Sequence, residues 1–176
     1  MRKKKTTSRK KTVVVGDWMS EAVLAVESFD SINIARQLMA KHRINQLPVV
    51  EEEKVVGIVT DRDIRDAYPT SMAINRGEAI DRFADTITVD EVMTHNVLTV
   101  HPETPLFAAV ALLKKQRIGS LPVVKKQKLV GIITRSDVLG FILSEANAAA
   151  AKRAGSLTLL RKNNRRNLHQ KVGVKP

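Results

Sequence analysis

The sequence has no cysteine, few aromatic residues and no long apolar run. Without cysteine among its 176 residues, the chain can form no disulfide and use no thiolate, which fits the reducing cytoplasm. Aromatic residues make up only 3%, which argues against a surface that stacks nucleic-acid bases. No apolar run approaches the roughly 18 residues that span a bilayer, and the first one is too short for a signal peptide. We therefore expect a cytoplasmic protein without a transmembrane segment.

Acidic residues are absent from both ends of the chain, where the positive charge is concentrated. The net charge is +12, but residues 1–11 hold seven Lys/Arg and residues 152–176 hold eight, with no acid in either segment. The remaining fifteen basic residues face eighteen acidic ones, so residues 12–151 sum to −3. The basic character therefore belongs to two terminal arms and not to the body of the protein.

One unit of the sequence is written twice. A shift of 74 positions aligns residues 15–66 with residues 89–140 without a gap, and twenty of the fifty-two positions are identical. The most similar lines are "VVGIVTDRDI" at 55–64 and "LVGIITRSDV" at 129–138. Because one register persists through a helix and two strands, we infer an internal duplication.

Each copy is predicted to fold as strand, helix, strand, strand, helix. In copy 1, Asp30 or Ser31 caps a helix whose Ile34, Leu38 and Met39 face the core. In copy 2, Thr104 is the predicted N-cap, and Pro105 occupies the first helical position. The β-branched runs that end each hairpin are typical of strands covered on both faces.

The predicted organisation has five segments. A basic arm (1–12) precedes unit 1 (13–68), a linker (69–88) with a short helix near 78–84, unit 2 (89–145) and a C-terminal segment (146–176). In this last segment, a helical extension is expected to end at Gly155, a favourable residue just past a helix end. The basic tail that follows shows no apolar face that could pack against a core.

These motifs resemble those of the CBS domain, named for cystathionine β-synthase, in its tandem form. The resemblance covers about residues 15–143 and includes the helix that ends in "RI-x-x-LPVV" and the line "VGI-(V/I)-T-x-x-D". "TDRDIRDAYPTS" is most similar to CBS-pair proteins of the acetoin-utilisation regulator type, although the ACT domain of some of them has no counterpart here. The resemblance implies an α/β fold of two βαββα units packed as a pseudo-twofold pair. It also implies a homodimeric disc and adenosine-containing ligands, such as AMP, ADP, ATP or S-adenosylmethionine, bound between the units.

The repeated Thr-x-x-Asp suits such a ligand chemically. A carboxylate at a helix start can accept two hydrogen bonds from a ribose diol, the threonine adds a hydroxyl, and the first-turn N–H groups favour a nearby anion. The alternative is that Thr and Asp only cap the helix. We favour ligand binding because the motif is duplicated and the family resemblance agrees with it.

The family pattern, carried over residue by residue, predicts two clefts, each joining the front of one copy to the Thr-x-x-Asp of the other. The residues of the first cleft are Met19, Ala22, Leu24, Ile44, Asn45, Thr134, Ser136 and Asp137. The residues of the second cleft are Met93, Asn96, Leu98, Ile118, Gly119, Thr60, Arg62 and Asp63. The clefts differ because Arg62 corresponds to Ser136, and Asn45 corresponds to Gly119.

No sequence feature indicates catalysis or a resident cofactor. The four histidines show no metal-ligand spacing, and no phosphate-binding loop or hydrolase motif occurs. We therefore predict a non-enzymatic sensor without a metal. The alternative is a protein whose basic arms bind nucleic acid or an acidic protein, although solvated arms explain the same charge. Apolar positions on two helices, in particular Ala108, Ala109, Ala111, Leu112, Val138, Phe141 and Ile142, favour a homodimer.

Overall fold

The computed structural model describes residues 12–69 and 78–170. A 3-10 turn (Val15–Asp17) precedes the other elements, which are, in chain order, β1 (Val26–Glu27), α1 (Ile32–His42), β2 (Gln46–Glu51), β3 (Lys54–Thr60), α2 (Asp61–Ala67), α3 (Glu78–Ala84), α4 (Val89–Val92), β4 (Thr94–His95), α5 (Leu106–Gln116), β5 (Ser120–Lys125), β6 (Lys128–Thr134) and α6 (Arg135–Gln170). The described residues fall into two compact units, one ending at Arg135 and one beginning at Ser136.

The first unit contains one six-stranded sheet, in which the strands follow the order β1-β2-β3-β6-β5 and β4 pairs with β3. The β2–β3 and β5–β6 hairpins have matching registers, since Gln46 pairs with Thr60 and Ser120 pairs with Thr134. The two copies meet where Lys54 of β3 pairs with Lys128 of β6. The predicted mixed α/β fold with a duplicated hairpin is confirmed.

Both hairpins turn through two residues with positive φ. These are Glu52 and Glu53, at 47° and 66°, and Lys126 and Gln127, at 51° and 68°. Positive φ at both central positions is the geometry of a type I′ turn, whose twist matches that of the flanking strands. The polar turns "EEEK" and "KKQK" therefore close two equivalent tight hairpins.

The core is aliphatic, as the low aromatic content requires. Leu47, Val59 and their mates Leu121 and Ile133 are fully buried in the strands. Helix α1 adds Ile32, Ala35 and Met39, three residues spaced so that they form one stripe of the helix. Ile34 lies off this stripe and is 44% exposed, so the prediction that Ile34 faces the core is wrong, whereas Leu38 packs against the core as predicted.

Helix α5 begins one residue later than predicted. Pro105 has φ −55° and ψ 131° and is the N-cap, and Leu106 is the first helical residue. The Thr104 hydroxyl instead accepts a hydrogen bond from the backbone N–H of His101, at 3.0 Å. The reason is tertiary: Val14 bridges to Pro105, and the N–H of Leu106 donates to the carbonyl of Val13, which holds the chain extended up to the helix.

The last helix is also longer than predicted. It runs from Arg135 through Gly155 to Gln170, so the predicted end at Gly155 is wrong. A glycine inside a helix costs only about 1 kcal/mol relative to alanine. The neighbouring Ala, Leu, Lys and Arg residues are good helix formers and outweigh that cost.

Candidate functional site

The first Thr-x-x-Asp forms a capping box at the start of α2. The carboxylate oxygen Oδ2 of Asp63 accepts hydrogen bonds from the backbone N–H of Thr60, at 2.8 Å, and from its hydroxyl, at 2.7 Å. The Thr60 hydroxyl in turn accepts from the backbone N–H of Asp63, at 3.3 Å. Both side chains are half-buried. The capping box is therefore formed in copy 1. Both hydrogen bonds to the Asp63 carboxylate use Oδ2, so Oδ1 accepts no hydrogen bond within the box.

The strand that ends at Thr60 also contacts the front of copy 2. Gly57 and Ile58 of β3 pair with His95 and Thr94 of β4. A Cβ on Gly57 would overlap the Met93 side chain and lie 3.0 Å from its Cγ. Met93 is only 8% exposed, so it covers β3 as part of the core. This pairing joins the two segments from which the second cleft was predicted.

Four other members of the predicted second cleft lie on two segments of the chain. Asn96, with φ 53°, and the 43% exposed Leu98 follow β4. Ile118 is half-buried and Gly119 is exposed, just before β5. Among the residues described, no hydrogen bond joins Asn96 to Thr60 or Asp63. The structure thus brings Met93 to β3, and the binding roles of this set stay predictions.

The first cleft repeats part of this arrangement. A Cβ on Gly131 would lie 2.5 Å from Sδ of Met19 and 3.1 Å from the carbonyl oxygen of Ser20. Ser20 and Ile132 exchange two backbone hydrogen bonds of 3.0 Å. Met19 therefore covers β6 of copy 2 as Met93 covers β3 of copy 1.

The remaining residues of the first cleft are divided between the two units. The first unit holds Ala22 and Asn45, which are exposed, Ile44, which is 38% exposed, and Leu24 and Thr134, which are half-buried. The second unit begins with the exposed Ser136 and the half-buried Asp137, both in the first turn of α6. The binding roles of this set also stay predictions.

The two residues between Thr and Asp behave differently in the two copies. In copy 1, Asp61 forms an ion pair with Arg65 on α2, and Arg62 is exposed. Arg135, the mate of Asp61, donates from Nε to the carbonyl oxygen of Ile118, at 3.1 Å. The two motifs therefore share their Thr and Asp but present different charges beside them.

A polar network that no sequence pattern predicted fixes helix α3 of the linker to α1. Asn33 is 7% exposed and donates from Nδ2 to Oδ1 of Asp85, at 2.8 Å. Arg36 donates to Oδ1 of Asp81, at 2.5 Å. An asparagine and an arginine inside a helix carry no local signal of such a role.

Tyr68 and Arg36 each bury a polar atom beside this network. The rings of Tyr68 and Phe83 lie 5.9 Å apart. Burial raises the pKa of the Tyr68 hydroxyl, and the Arg36 charge partly offsets this rise. The Tyr68 hydroxyl and Nε of Arg36 have no hydrogen-bond partner within the described part of the chain.

A second capping box lies at the start of copy 2. Oε1 of Glu91 accepts from the backbone N–H of Thr88, at 2.9 Å, and from its hydroxyl, at 3.0 Å. These two hydrogen bonds, the backbone one first, lower the pKa of the Glu91 carboxyl from its usual 4.5. Thr88 and Glu91 belong to neither predicted cleft, so they provide a comparison for Thr60 and Asp63.

Neither a metal centre nor a membrane span is found in residues 12–69 and 78–170. These segments hold no cluster of three or more His, Asp or Glu side chains placed to bind a metal ion. Their helices also lack an apolar stretch long enough to cross a bilayer.

Comparison with known sequences identifies the repeated unit. The sequence profile of the CBS domain matches residues 15–70 and residues 89–144, which contain the two copies. The chain belongs to the CBS-domain family. The predicted family and the predicted fold of two CBS units are thereby confirmed.

Solved CBS-domain pairs are similar to this chain over most of its length. The AcuB protein of Vibrio cholerae is 30% identical, with a TM-score of 0.67 over 80% of this chain and 97% of that chain. The CBS-domain pair of protein MJ0100, in complex with 5′-methylthioadenosine and S-adenosyl-L-methionine, is 32% identical, with a TM-score of 0.63 over 76% of this chain and 98% of that one. CBSX2 of Arabidopsis thaliana in complex with AMP is 28% identical, with a TM-score of 0.62 over 74% and 97%.

Curated relatives include both short proteins and larger enzymes. The YhcV protein of Bacillus subtilis, a CBS domain-containing protein, is 31% identical over 78% of this chain and 91% of its own length. L-aspartate semialdehyde sulfurtransferase of Methanocaldococcus jannaschii is 35% identical over 71% of this chain, but this chain spans only 22% of that enzyme.

Proposed function

We propose that this chain is a non-enzymatic regulatory module that binds an adenosine-containing ligand in the clefts predicted between its CBS units. The observation that carries the proposal is the β3–β4 pairing, since it joins the front of copy 2 to the strand that ends at Thr60. Two similar CBS pairs hold AMP, or 5′-methylthioadenosine and S-adenosylmethionine. The ligands of these two proteins share an adenosine.

The proposed recognition of ribose depends on Asp63 and its mate Asp137. An ionised carboxylate accepts hydrogen bonds and a ribose diol donates them through its hydroxyls, so the two groups are complementary. In copy 1 the capping box uses Oδ2 of Asp63. Oδ1 can therefore accept from a ribose hydroxyl without breaking the cap, which makes capping and binding compatible roles for one side chain.

A regulatory role also agrees with the sizes of the relatives. This chain is similar to a 22% portion of the sulfurtransferase and to almost the whole of YhcV. The matched portion is thus found both within a larger enzyme and as most of a small protein. We infer that this portion supplies ligand sensing, and that catalysis in the larger protein belongs to its other segments.

Calorimetry tests the proposal directly. Ligand-stripped protein is titrated with AMP, ADP, ATP and S-adenosylmethionine, and GMP serves as the control for the base. We expect at least one adenosine ligand to bind with a dissociation constant below 1 mM, which corresponds to about −4 kcal/mol, and GMP to bind more weakly. If none of the four ligands binds at millimolar concentration, the proposal is wrong.

We also propose a homodimer, for which exposed apolar side chains provide the support. Phe107 on α5 is 68% exposed, and Leu139 and Leu143 of the second unit are 59% and 64% exposed. Two residues of the predicted dimer surface, Ala109 and Phe141, are buried within the chain itself, so neither side chain contributes to that surface. Light scattering at tens of micromolar is expected to give twice the chain mass of 19.5 kDa, and a monomeric mass would contradict the dimer.

A further inference from the structure

One side-chain hydrogen bond joins the two copies at equivalent positions. Gln46 and Ser120 are mates under the 74-residue shift, and they are the first residues of β2 and β5. The Ser120 hydroxyl donates to Oε1 of Gln46, at 2.8 Å. Ser120 is only 3% exposed, so this bond satisfies a hydroxyl that water can hardly reach.

Each partner of this bond is adjacent to both predicted clefts. Gln46 directly follows Asn45, which was assigned to the first cleft, and it pairs with Thr60 of the second. Ser120 directly follows Gly119, which was assigned to the second cleft, and it pairs with Thr134 of the first. A shift of either side chain therefore reaches the lining of both clefts.

Two further backbone contacts fix the same segments. The N–H of Asp61 donates to the carbonyl of Asn45, at 3.0 Å, and the N–H of Arg135 donates to the carbonyl of Gly119, at 3.1 Å. Asn45 and Gly119, which precede Gln46 and Ser120, are thus each hydrogen-bonded to the residue that follows the threonine of a Thr-x-x-Asp motif. The hydrogen bond between Gln46 and Ser120 therefore connects the two segments across the pseudo-twofold axis that relates the copies.

The bond also explains why the two copies differ here. Oε1 of Gln46 lies 3.3 Å from the place where a Cβ on Gly119 would stand, which is closer than such atoms usually approach. The long glutamine side chain therefore reaches over a residue without a side chain. In the reverse arrangement, a glutamine at position 120 would reach over Asn45, the mate of Gly119. Asn45 has a Cβ, which would obstruct the glutamine side chain.

We propose that the Gln46–Ser120 hydrogen bond couples the two clefts, so that an adenosine-containing ligand bound in one raises the affinity of the other. This coupling rests on the proposed function. A first ligand that shifts either side chain also repositions the lining of the other cleft, to which the second ligand then binds. A single hydrogen bond can transmit a coupling of about two- to tenfold.

The test is AMP calorimetry on the full chain and on variants that remove the bond from either side. Ser120→Ala deletes the donor, Gln46→Met deletes the acceptor at similar length, and Gln46→Glu retains an acceptor oxygen. In the unmodified chain we expect the second AMP to bind about two- to tenfold more tightly than two independent sites allow. We expect Ser120→Ala and Gln46→Met to abolish the tighter binding of the second AMP while changing the affinity of the first site by less than about threefold. We expect Gln46→Glu to retain the tighter binding.

Ser28→Ala is the matched control. The Ser28 hydroxyl is equally buried, with 1% exposure, and donates to Oε1 of Glu51, at 2.6 Å, but it borders neither predicted cleft. This variant should lose stability and keep the coupling, which separates a coupling role from general support of the fold.

Three results would overturn the coupling. Unchanged coupling in folded Ser120→Ala or Gln46→Met would do so, and so would a single site or two independent sites in the unmodified chain. In both cases AMP still binds, so the proposed function stands. Failure of the unmodified chain to bind AMP and every other adenosine ligand would overturn the coupling and the proposed function together.

Discussion

The two copies of the CBS unit agree in their strands and differ on their helices. Both hairpins have the same register, the same type of turn and a bulge at the same step, between Val49 and Val50 and between Val123 and Val124. On the helices, the buried Asn33 of α1 corresponds to Phe107 of α5, which is 68% exposed. Duplication has thus kept the sheet, while the outer helix surfaces have diverged.

The difference follows from what each helix contacts. Helix α1 is bonded to Asp81 of the linker helix α3 and to Asp85, which directly follows that helix, and buried polar side chains need such partners. At the equivalent place on α5 stands Phe107, whose apolar side chain is largely exposed. The paired hairpins therefore keep equivalent packing in both copies, whereas the residue suited to a helix position depends on what that helix contacts.

The largest effect is expected from shortening the two equivalent core leucines. Leu47 and Leu121 are both fully buried at matching positions of β2 and β5. Replacing a buried leucine with alanine removes apolar contacts and leaves a cavity, at a cost of about 2–5 kcal/mol. Urea unfolding of Leu47→Ala and Leu121→Ala should give losses within about 1 kcal/mol of each other. A much larger gap would mean that the cores of the two copies are not equivalent.

A smaller and unequal effect is expected on the helices. Asn33→Ala removes the hydrogen bond to Asp85 and those that Asn33 accepts from Arg36 and Gln37, and should cost about 1–3 kcal/mol. Phe107→Ala, its mate, should change stability by less than about 0.5 kcal/mol in the monomer. Thermal unfolding at low protein concentration makes the comparison, and equal losses would remove the asymmetry.

The smallest effect is expected from the capping box at the start of copy 2. The lowered pKa of the Glu91 carboxyl means that the folded state favours the ionised form. This contribution to stability is complete above the usual pKa of 4.5 and disappears as the pH falls through the folded-state pKa. The melting temperature of Glu91→Gln should therefore lie below that of the unmodified chain at pH 7 and converge with it in acid. A constant difference across this pH range would contradict the capping role.

The sequence predicts the sheet because the duplication reveals it. Two apolar runs with the same register, each followed by Thr-x-x-Asp, are enough to place β3 and β6 and the helices after them. The errors lie where tertiary contacts override local preference. Thr104 is a good N-cap by type, but the contacts of Val13 and Val14 with the start of α5 delay that helix.

The candidate site could be predicted only in part for the same reason. The motif residues Thr60 and Asp63 stand out by repetition, and the structure shows how they bond to each other. Gln46 and Ser120 escaped notice because the two copies differ at this position, and because residues 74 apart show no local signal of contact. An internal repeat shows which residues the two copies share, but it does not show contacts between residues that differ, such as Gln46 and Ser120.

Ligand binding and helix capping predict different results when affinity and stability are both measured in Asp63→Ala, Asp137→Ala and the double variant. Loss of a helix cap alone costs about 0.5–2 kcal/mol of stability, whereas loss of a charge-assisted bond to the ribose should lower affinity more than tenfold. Glu91→Ala, which breaks a similar capping box outside both predicted clefts, is the control. We predict that each aspartate variant loses adenosine-ligand affinity at its own cleft, while Glu91→Ala loses only stability. Unchanged affinity in the folded double variant would contradict the account, because the two aspartates would then serve only to start their helices.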